Sequence, residues 1–329
     1  MTDIETVFSY TQTELIHGNK IYYLPNTLFV KKKIQYEMQY DLYRVPEKLV
    51  YETNYMSGAF SIVVIYESCP KSYIPSKHIV LKIMCPEDPA DPKIQQELAI
   101  YSDLYKKSNY DKYICSYYGH SSETYLDKTY YYLTLEYLEM DLFDFIFTHR
   151  YSYNYTNVFY ILKRVALSLE FLHHYSIIYN DLKLENIMLS LNDPWVIKLV
   201  DFNCASSSRK QFQNIGSGTL EFMSPDLQKC VVLKDFSGLT IKSDSWSFGL
   251  LVCMLLSHGS HPFEDKDKKR VIEKIKLNPF NNNKKNCFKF ITKQSIMPTL
   301  KKNAPLQECL TNILFDCLQT NPEDRKSIQ

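Results

Sequence analysis

Glycine is scarce in this chain. Eight glycines occur in 329 residues, where average usage of about 7% would supply roughly twenty-three, so the few that occur are informative by position. Long apolar runs are also missing. The start, Met1-Thr2-Asp3-Ile4-Glu5, is acidic and no long apolar stretch follows, so neither a signal peptide nor a membrane span is expected. Position 2 is not glycine, which removes myristoylation. A charge surplus is absent too: 38 basic residues stand against 37 acidic ones, which gives no support for nucleic acid or an acidic membrane as the main partner. The clusters Lys31-Lys32-Lys33 and Lys266 to Arg270 read as solvated faces. The nine cysteines, at 69, 85, 115, 204, 230, 253, 287, 309 and 317, form no Cys-x-x-Cys pair. Zinc ligation and a disulfide framework are therefore poorly supported, and the thiols read as reduced, buried apolar groups. Together these absences describe a soluble intracellular protein, cytoplasmic or nuclear, and they leave its oligomeric state open.

What is present is a hydrophobic content of 45%, ample for a packed core, at a length that allows two domains or one two-lobed domain. Tyrosine is abundant at 27 residues, which reads as compositional bias. Residues 1–48 show no strong period and read as an extension of uncertain structure. From Leu49 the pattern turns β-like: 49–51, a turn at Ser57-Gly58, a returning strand over 60–66, and a third strand over 78–84. Pro86, Pro89 and Pro92 exclude regular structure until a helix over about 93–106, and two more strands follow near 114–118 and 130–136. Beyond Glu136 the chain turns helical. Apolar residues at 158, 161, 162, 165, 169 and 172 mark one buried face of a helix over 158–175. The stretch 243–256 is apolar nearly all round and predicts a buried central helix, and 306–318 predicts another. The Asn/Lys-rich stretch 281–285 reads as a loop. Strands first and helices after indicate two lobes.

The most informative stretch is Asp181-Leu182-Lys183-Leu184-Glu185-Asn186-Ile187-Met188, followed fifteen residues after Asn186 by the apolar strand end Leu199-Val200-Asp201-Phe202. Alone, Asp-Leu-Lys is ordinary surface. With Asn186 and Asp201 at this spacing, the set supplies the polar parts of phosphoryl transfer from ATP: a carboxylate for the incoming hydroxyl, an ammonium for the transferred group, and an amide oxygen and second carboxylate for magnesium. Here the chain resembles the serine/threonine protein kinases, loosely the calmodulin-dependent and energy-sensing group. The resemblance implies an α+β, two-lobed kinase fold over 49–329, with a small, mainly β N-lobe over about 49–136 and a larger helical C-lobe over about 139–329. The last helix of such a domain would be short or missing.

The same resemblance assigns further residues. Lys82 lies among apolar strand residues, and a buried ammonium needs a partner; Glu97, fifteen residues on, is that partner, and the pair would hold the α- and β-phosphates. The phosphate-covering loop is Met56-Ser57-Gly58-Ala59-Phe60-Ser61-Ile62-Val63, where only Gly58 of the usual three glycines remains. By itself it reads as an ordinary hairpin. Val63 and Val80 would cover the adenine from above and Met188 from below, with Leu135 at the back. Glu136-Tyr137-Leu138 would form the hinge, with backbone hydrogen bonds from Glu136 and Leu138. Each of these, taken singly, is also plain core.

Asp181 is the candidate general base and Lys183 the transition-state cation; Asn186 and Asp201 are the magnesium ligands. Tyr179 and Asn180 depart from the His-Arg that usually leads this loop, and the lost arginine normally pairs with a phosphate on the activation segment. Asn203 replaces the glycine after Asp-Phe and is expected to carry the positive φ. Gly218-Thr219 together with Lys183 points to the serine/threonine class. Asp226 would pair with Arg325, and Asp244 would hold the catalytic loop from the central helix. Cys204 is a reactive or an inert buried thiol. The expected activity is transfer of the γ-phosphoryl of Mg-ATP to a Ser/Thr hydroxyl of a protein. The alternative is a pseudokinase that binds nucleotide or scaffolds partners, favoured by Met56, Ser61, Asn180 and Asn203. A small-molecule kinase comes third.

Overall fold

Residues 4–8, 12–17, 20–25, 27–34, 37–44, 51–56, 59–68, 78–148, 154–190, 195–207, 218–294, 300 and 302–328 are described by a computed structural model. The chain divides into two units, 1–111 with 115–137 and 112–114 with 138–329. The turn at Ser57-Gly58 and the loop over 69–77 lie outside the described residues.

The first unit is built on antiparallel strands. Residues 1–48, which carry no strong period, hold five of them: β1 (Ile4–Phe8), β2 (Gln12–His17), β3 (Lys20–Pro25), β4 (Thr27–Ile34) and β5 (Glu37–Arg44). Next come β6 (Tyr51–Met56), β7 (Ala59–Ser68), β8 (His78–Met84), helix α1 (Pro92–Tyr105), β9 (Tyr117–Tyr125) and β10 (Lys128–Glu136). One eight-stranded sheet runs β1-β4-β5-β7-β8-β10-β9 with β6 on β7, while β2 and β3 pair separately. Three of the five early strands, β1, β4 and β5, are thus built into the sheet they precede.

Alternation sets the two faces of that sheet. Ile79, Leu81 and Ile83 of β8 cluster with Ile62, Val64 and Tyr66 of β7 and with Tyr130 and Tyr132 of β10. Tyr23 and Leu24 of β3 belong to the same cluster. The Tyr132 hydroxyl donates to Tyr23 O at 3.0 Å and the Tyr66 hydroxyl to Pro25 O at 2.8 Å. The Tyr23 ring also lies 4.1 Å from that of Tyr125 and edge-on to Tyr130 at 5.3 Å.

Two boundaries differ from expectation. Pro92 opens α1 instead of delaying it, because the first helical position has no intrahelical use for an N–H, and Asp91 caps it by accepting from Lys93 N at 2.9 Å. The strand expected near 114–118 starts at Tyr117; Ile114 makes only an isolated bridge to Leu199 within the second unit.

The second unit contains β11 (Met140–Asp141), α2 (Leu142–Thr148), α3 (Tyr155–His174), β12 (Ile177–Ile178), β13 (Ile187–Ser190), β14 (Val196–Leu199) and β15 (Ser206–Ser207). It continues with α4 (Pro225–Leu233), α5 (Lys242–Leu256), α6 (Lys268–Leu277), α7 (Lys284–Gln294) and α8 (Ala304–Cys317). All six apolar positions of the α3 stripe are buried. Every residue of α5 after Lys242 is buried, as a helix apolar all round must be. Gly249 is needed there, since a Cβ would sit 2.9 Å from Cys317 Cβ and 2.8 Å from Leu318 Cδ2. Lys284 and Lys285, expected in a loop, begin α7. No described helix is long and apolar enough to cross a membrane.

Leu24 is fully buried, so Leu24→Ala should cost about 2–5 kcal/mol through lost transfer energy and the cavity left behind. Urea denaturation followed by fluorescence measures this; an unchanged midpoint would mean that β3 does not pack on the sheet.

Candidate active site

In the first unit, the parity that sends Ile79, Leu81 and Ile83 to the core sends Val80 and Lys82 to the other face. Lys82 pairs in the ladder with Val63 on one side and Leu133 on the other. Its Nζ donates to both carboxylate oxygens of Glu97, at 2.8 and 2.9 Å, with both residues buried. A buried pair of this kind is destabilising to break by about 3–5 kcal/mol, because one charge is then stranded. Val63 and Val80 are half-buried, and Val80 lies opposite Leu135, which is buried. Glu136 is heavily engaged: its N–H donates to Ser116 O at 2.9 Å, its carbonyl accepts from Cys115 Sγ at 3.3 Å, and its carboxylate accepts from Ser116 N and Oγ. A hinge hydrogen bond to its carbonyl would use the remaining lone pair. Gly58 lies outside the described residues.

The remaining candidates belong to the second unit, where Asp181, Lys183 and Asn186 touch one another. Asp181, Lys183 and Asn186 are all buried. Asn186 Nδ2 donates to Asp181 O and Asp181 Oδ2, both at 2.8 Å. That spends the amide protons on Asp181 and leaves Asn186 Oδ1 as an acceptor. Lys183 Nζ lies 3.2 Å from Asp181 Oδ2 and donates to Thr219 Oγ1 at 3.0 Å, while Thr219 N donates to Asp181 Oδ1 at 2.9 Å. Gly218 has to be glycine: a Cβ would lie 2.9 Å from Asp181 Oδ1 and 3.0 Å from Asn180 O. Leu138 is buried, and Met188 is half-buried on β13 between Asp141 and Lys198 of the neighbouring strands.

Asp244, in the first turn of α5, is fully buried and holds the loop as expected. Its Oδ1 accepts from Asn180 N at 2.8 Å and its Oδ2 from Tyr179 N at 2.9 Å and His173 Nε2 at 2.8 Å. His173 was not foreseen; its only signal was a polar side chain in the last turn of α3. The Tyr179 hydroxyl donates to Val200 O, its ring is edge-on to Phe202 at 5.4 Å, and burial pushes its phenol far above the usual range. Asp226 and Arg325 do pair. The arginine is buried, donates also to the carbonyls of Gln319, Lys242 and Thr320, and lies 5.4 Å over the Trp246 ring. Burial lowers its pKa.

Two expectations change. The positive φ falls on Asp201, at 59°, and not on Asn203, so the turn places the carboxylate itself in the left-handed region. Asn180, read only as a lost cation, is a buried clamp with φ 65°. Its Nδ2 donates to Cys204 O at 3.1 Å and Ser206 Oγ at 3.0 Å, and Ser243 Oγ donates to its Oδ1 at 3.4 Å. Ser206–Ser207 also pairs with Ile177–Ile178. Cys204 is buried. Residues 208–217 lie outside the described residues.

For a metal, Asn186 Oδ1 and the Asp201 carboxylate are hard oxygen donors. Among the described residues no group of three or more His, Cys, Asp or Glu forms a metal cage. A donor set this small suits an ion that completes its shell with water and phosphate. The Asp181 carboxylate is thus held by an amide, a backbone N–H and an ammonium, on a loop tied to a central helix.

The family described as "Protein kinase domain" matches residues 57–329, and the chain belongs to the protein kinase family, whose members use ATP and a divalent metal. It is 31% identical over 196 residues to "Probable serine/threonine-protein kinase 2" of Plasmodium falciparum, a match taking in 59% of this chain and 34% of that protein. It is 37% identical over 121 residues to ribosomal protein S6 kinase alpha-3 of Mus musculus, 36% of this chain and 15% of that one. A third relative is the striated muscle preferentially expressed protein kinase of Danio rerio, 36% identical over 140 residues, covering 41% and 4%. The chain thus spans about a third or less of the length of these relatives.

Asp244→Ala would strand the N–H groups of Tyr179 and Asn180 without acceptors in a buried site. At about 1–3 kcal/mol for each stranded group, stability should fall by at least about 2 kcal/mol in a denaturant titration. A smaller loss would show that the loop re-forms its hydrogen bonds without the carboxylate.

Proposed function

We propose that this chain is an active serine/threonine protein kinase that transfers the γ-phosphoryl of Mg-ATP to a protein hydroxyl. The observation that carries the reading is the Asp181 carboxylate, fixed by Asn186 Nδ2 and Thr219 N with the Lys183 ammonium 3.2 Å away. An incoming Ser or Thr hydroxyl would be oriented by Asp181. As its oxygen bonds to the γ-phosphorus, the bond to the β-γ bridging oxygen breaks and ADP leaves with those electrons. Asp181 receives the hydroxyl proton, and Lys183 offsets charge on the transferred group. Lys82, tethered by Glu97, would take the α- and β-phosphates. Magnesium, held by Asp201 and Asn186, would neutralise phosphate charge when bound. The Lys183–Thr219 bond supports the serine/threonine class, and a scaffold without chemistry has no need of all six polar residues.

Asp181→Ala should leave nucleotide affinity nearly unchanged and cut turnover by about 10²–10⁴-fold, the usual worth of a positioned base. Asp201→Ala should weaken Mg-ATP binding itself. Isothermal titration with nucleotide beside a peptide phosphorylation assay separates the two, and full activity in either variant would remove the assignment.

Regulation is expected to be unusual. Phosphorylation orders a segment where a fixed cation receives the charge, and position 180 offers a neutral amide already bonded to Cys204 and Ser206. Phosphatase treatment should therefore leave activity within about tenfold of the untreated enzyme. A larger loss, restored by rephosphorylation within 206–219, would overturn this.

A further inference from the structure

The chain as a whole is nearly neutral, but the balance is local. Between residues 266 and 302 twelve lysines and arginines stand against two acids, Asp267 and Glu273. That is a surplus of ten positive charges in a chain whose whole surplus is one. Part of it is neutralised on α6, where Lys274 meets Asp265 at 3.0 Å and donates to Glu264 O. α7 has no such relief. Its sequence, KKNCFKFITKQ, contains no acid, and among the described residues neither Lys289 nor Lys293 pairs with a carboxylate.

These two lysines stand at a cavity. α7 presents Asn286, Lys289, Phe290 and Lys293 to a hollow of about 480 Å³, at the i, i+3, i+4, i+7 spacing of a single helix face. The other wall is Ser260, Pro262 and Phe280. Cys287 and Ile291, on the opposite side of α7, are fully buried and fix the helix so that this face stays turned to the hollow. The volume lies within the range of ligand pockets, about 300–1,000 Å³. The chemistry is divided: a floor of proline and phenylalanine that takes an apolar side chain, and a rim with two exposed ammonium groups one helical turn apart. A bare phosphate would leave the floor unused, and a purely apolar segment would leave the cations unused.

We propose that this hollow docks an acidic peptide segment of the protein substrate, with an apolar side chain on Phe280 and Phe290 and flanking Asp or Glu carboxylates on Lys289 and Lys293. Only the word substrate rests on the kinase reading; the binding does not. The lining of the hollow shares no residue with the set that holds Asp181, so the segment's contacts would be separate from those at the phosphorylated hydroxyl. Tethering of this kind raises the acceptor's effective concentration without altering the chemical step.

The test uses the full chain and a fluorescein-labelled peptide, Asp-Glu-Leu-Phe-Asp-Glu, with a lysine-for-acid version as control, followed by anisotropy without nucleotide. Wild type should bind the acidic peptide only. K289E/K293E should weaken it by about tenfold or more, since exposed charge reversals act directly on a complementary partner. S260W, which fills the hollow from an exposed position, should do the same without changing charge. In the kinetic arm, joining the peptide to a serine-containing acceptor should lower KM with kcat unchanged, and K289E/K293E should abolish that gain while leaving the unjoined acceptor unaffected. Equal binding by wild type and K289E/K293E would overturn the proposal. So would a single-stranded RNA, or a phosphatidylserine vesicle, that binds wild type more tightly than the peptide does. Binding that depends on Lys289 and Lys293, in a chain that transfers no phosphate, would uphold the docking site and sink the kinase reading instead.

Discussion

The loop that carries Asp181 hangs on one buried carboxylate. Asp244 is fully enclosed in the first turn of α5, where an unpaired charge would cost several kcal/mol. The backbone N–H groups of Tyr179 and Asn180 and the ring of His173 satisfy it. The dependence runs the other way as well. Asn180 sits at φ 65°, a conformation that costs a non-glycine residue about 1–3 kcal/mol unless its surroundings impose it. Asp244 and the Asn180 side-chain bonds impose it, and the next residue is Asp181. Asp181 is thus indexed to α5, which is buried along all but its first residue, and Gly218 lets Thr219 reach it from the other side.

How much of this was legible depended on where the partners lie. Lys82 could be read because an ammonium among apolar strand residues needs an anion, and Glu97 lay one helix away. The α3 stripe and the all-apolar α5 could be read because burial follows a helical period. The strands of residues 4–44 could not, because what fixes them is a sheet whose other members come later in the chain. Tyr23 and Leu24 gain their burial from β7, β8 and β10, and no local pattern announces that. Asn180 could be read only as a missing arginine, since its bonds to Cys204 and Ser206 depend on a fold that returns twenty-four and twenty-six residues later. The positive φ was assigned to Asn203 by analogy with glycine; it falls two residues earlier, on Asp201.

Tyrosine proves to be a structural material here and more than a compositional bias. Tyr66, Tyr101, Tyr130, Tyr132 and Tyr179 are among the largest fully buried side chains. A buried phenol must place its proton somewhere, and several place it on a backbone carbonyl of a distant segment: Tyr66 on Pro25, Tyr132 on Tyr23, Tyr179 on Val200. Burial raises the pKa of all three, which keeps them protonated and keeps them donors. Each ring fills core volume while its hydroxyl ties down a loop or edge strand. Two of these three bonds secure β3, the strand that had no local signal at all.

The placement of charge completes the picture on the proposed reading. The catalytic loop carries a neutral amide where the family's usual cation would wait for a phosphate. The first residues of the activation segment are set by Asn180 and by the pairing of Ser206–Ser207 with Ile177–Ile178. Neither interaction depends on an added charge. The positive surplus lies instead on residues 266–302, much of it on α7, a helix with no acid of its own. A cation near the base can switch catalysis, whereas a cation on an exposed helix face acts on encounter and binding. Selection in such a protein would rest on which partners reach the site, because nothing in its catalytic loop is built to be turned on by phosphate.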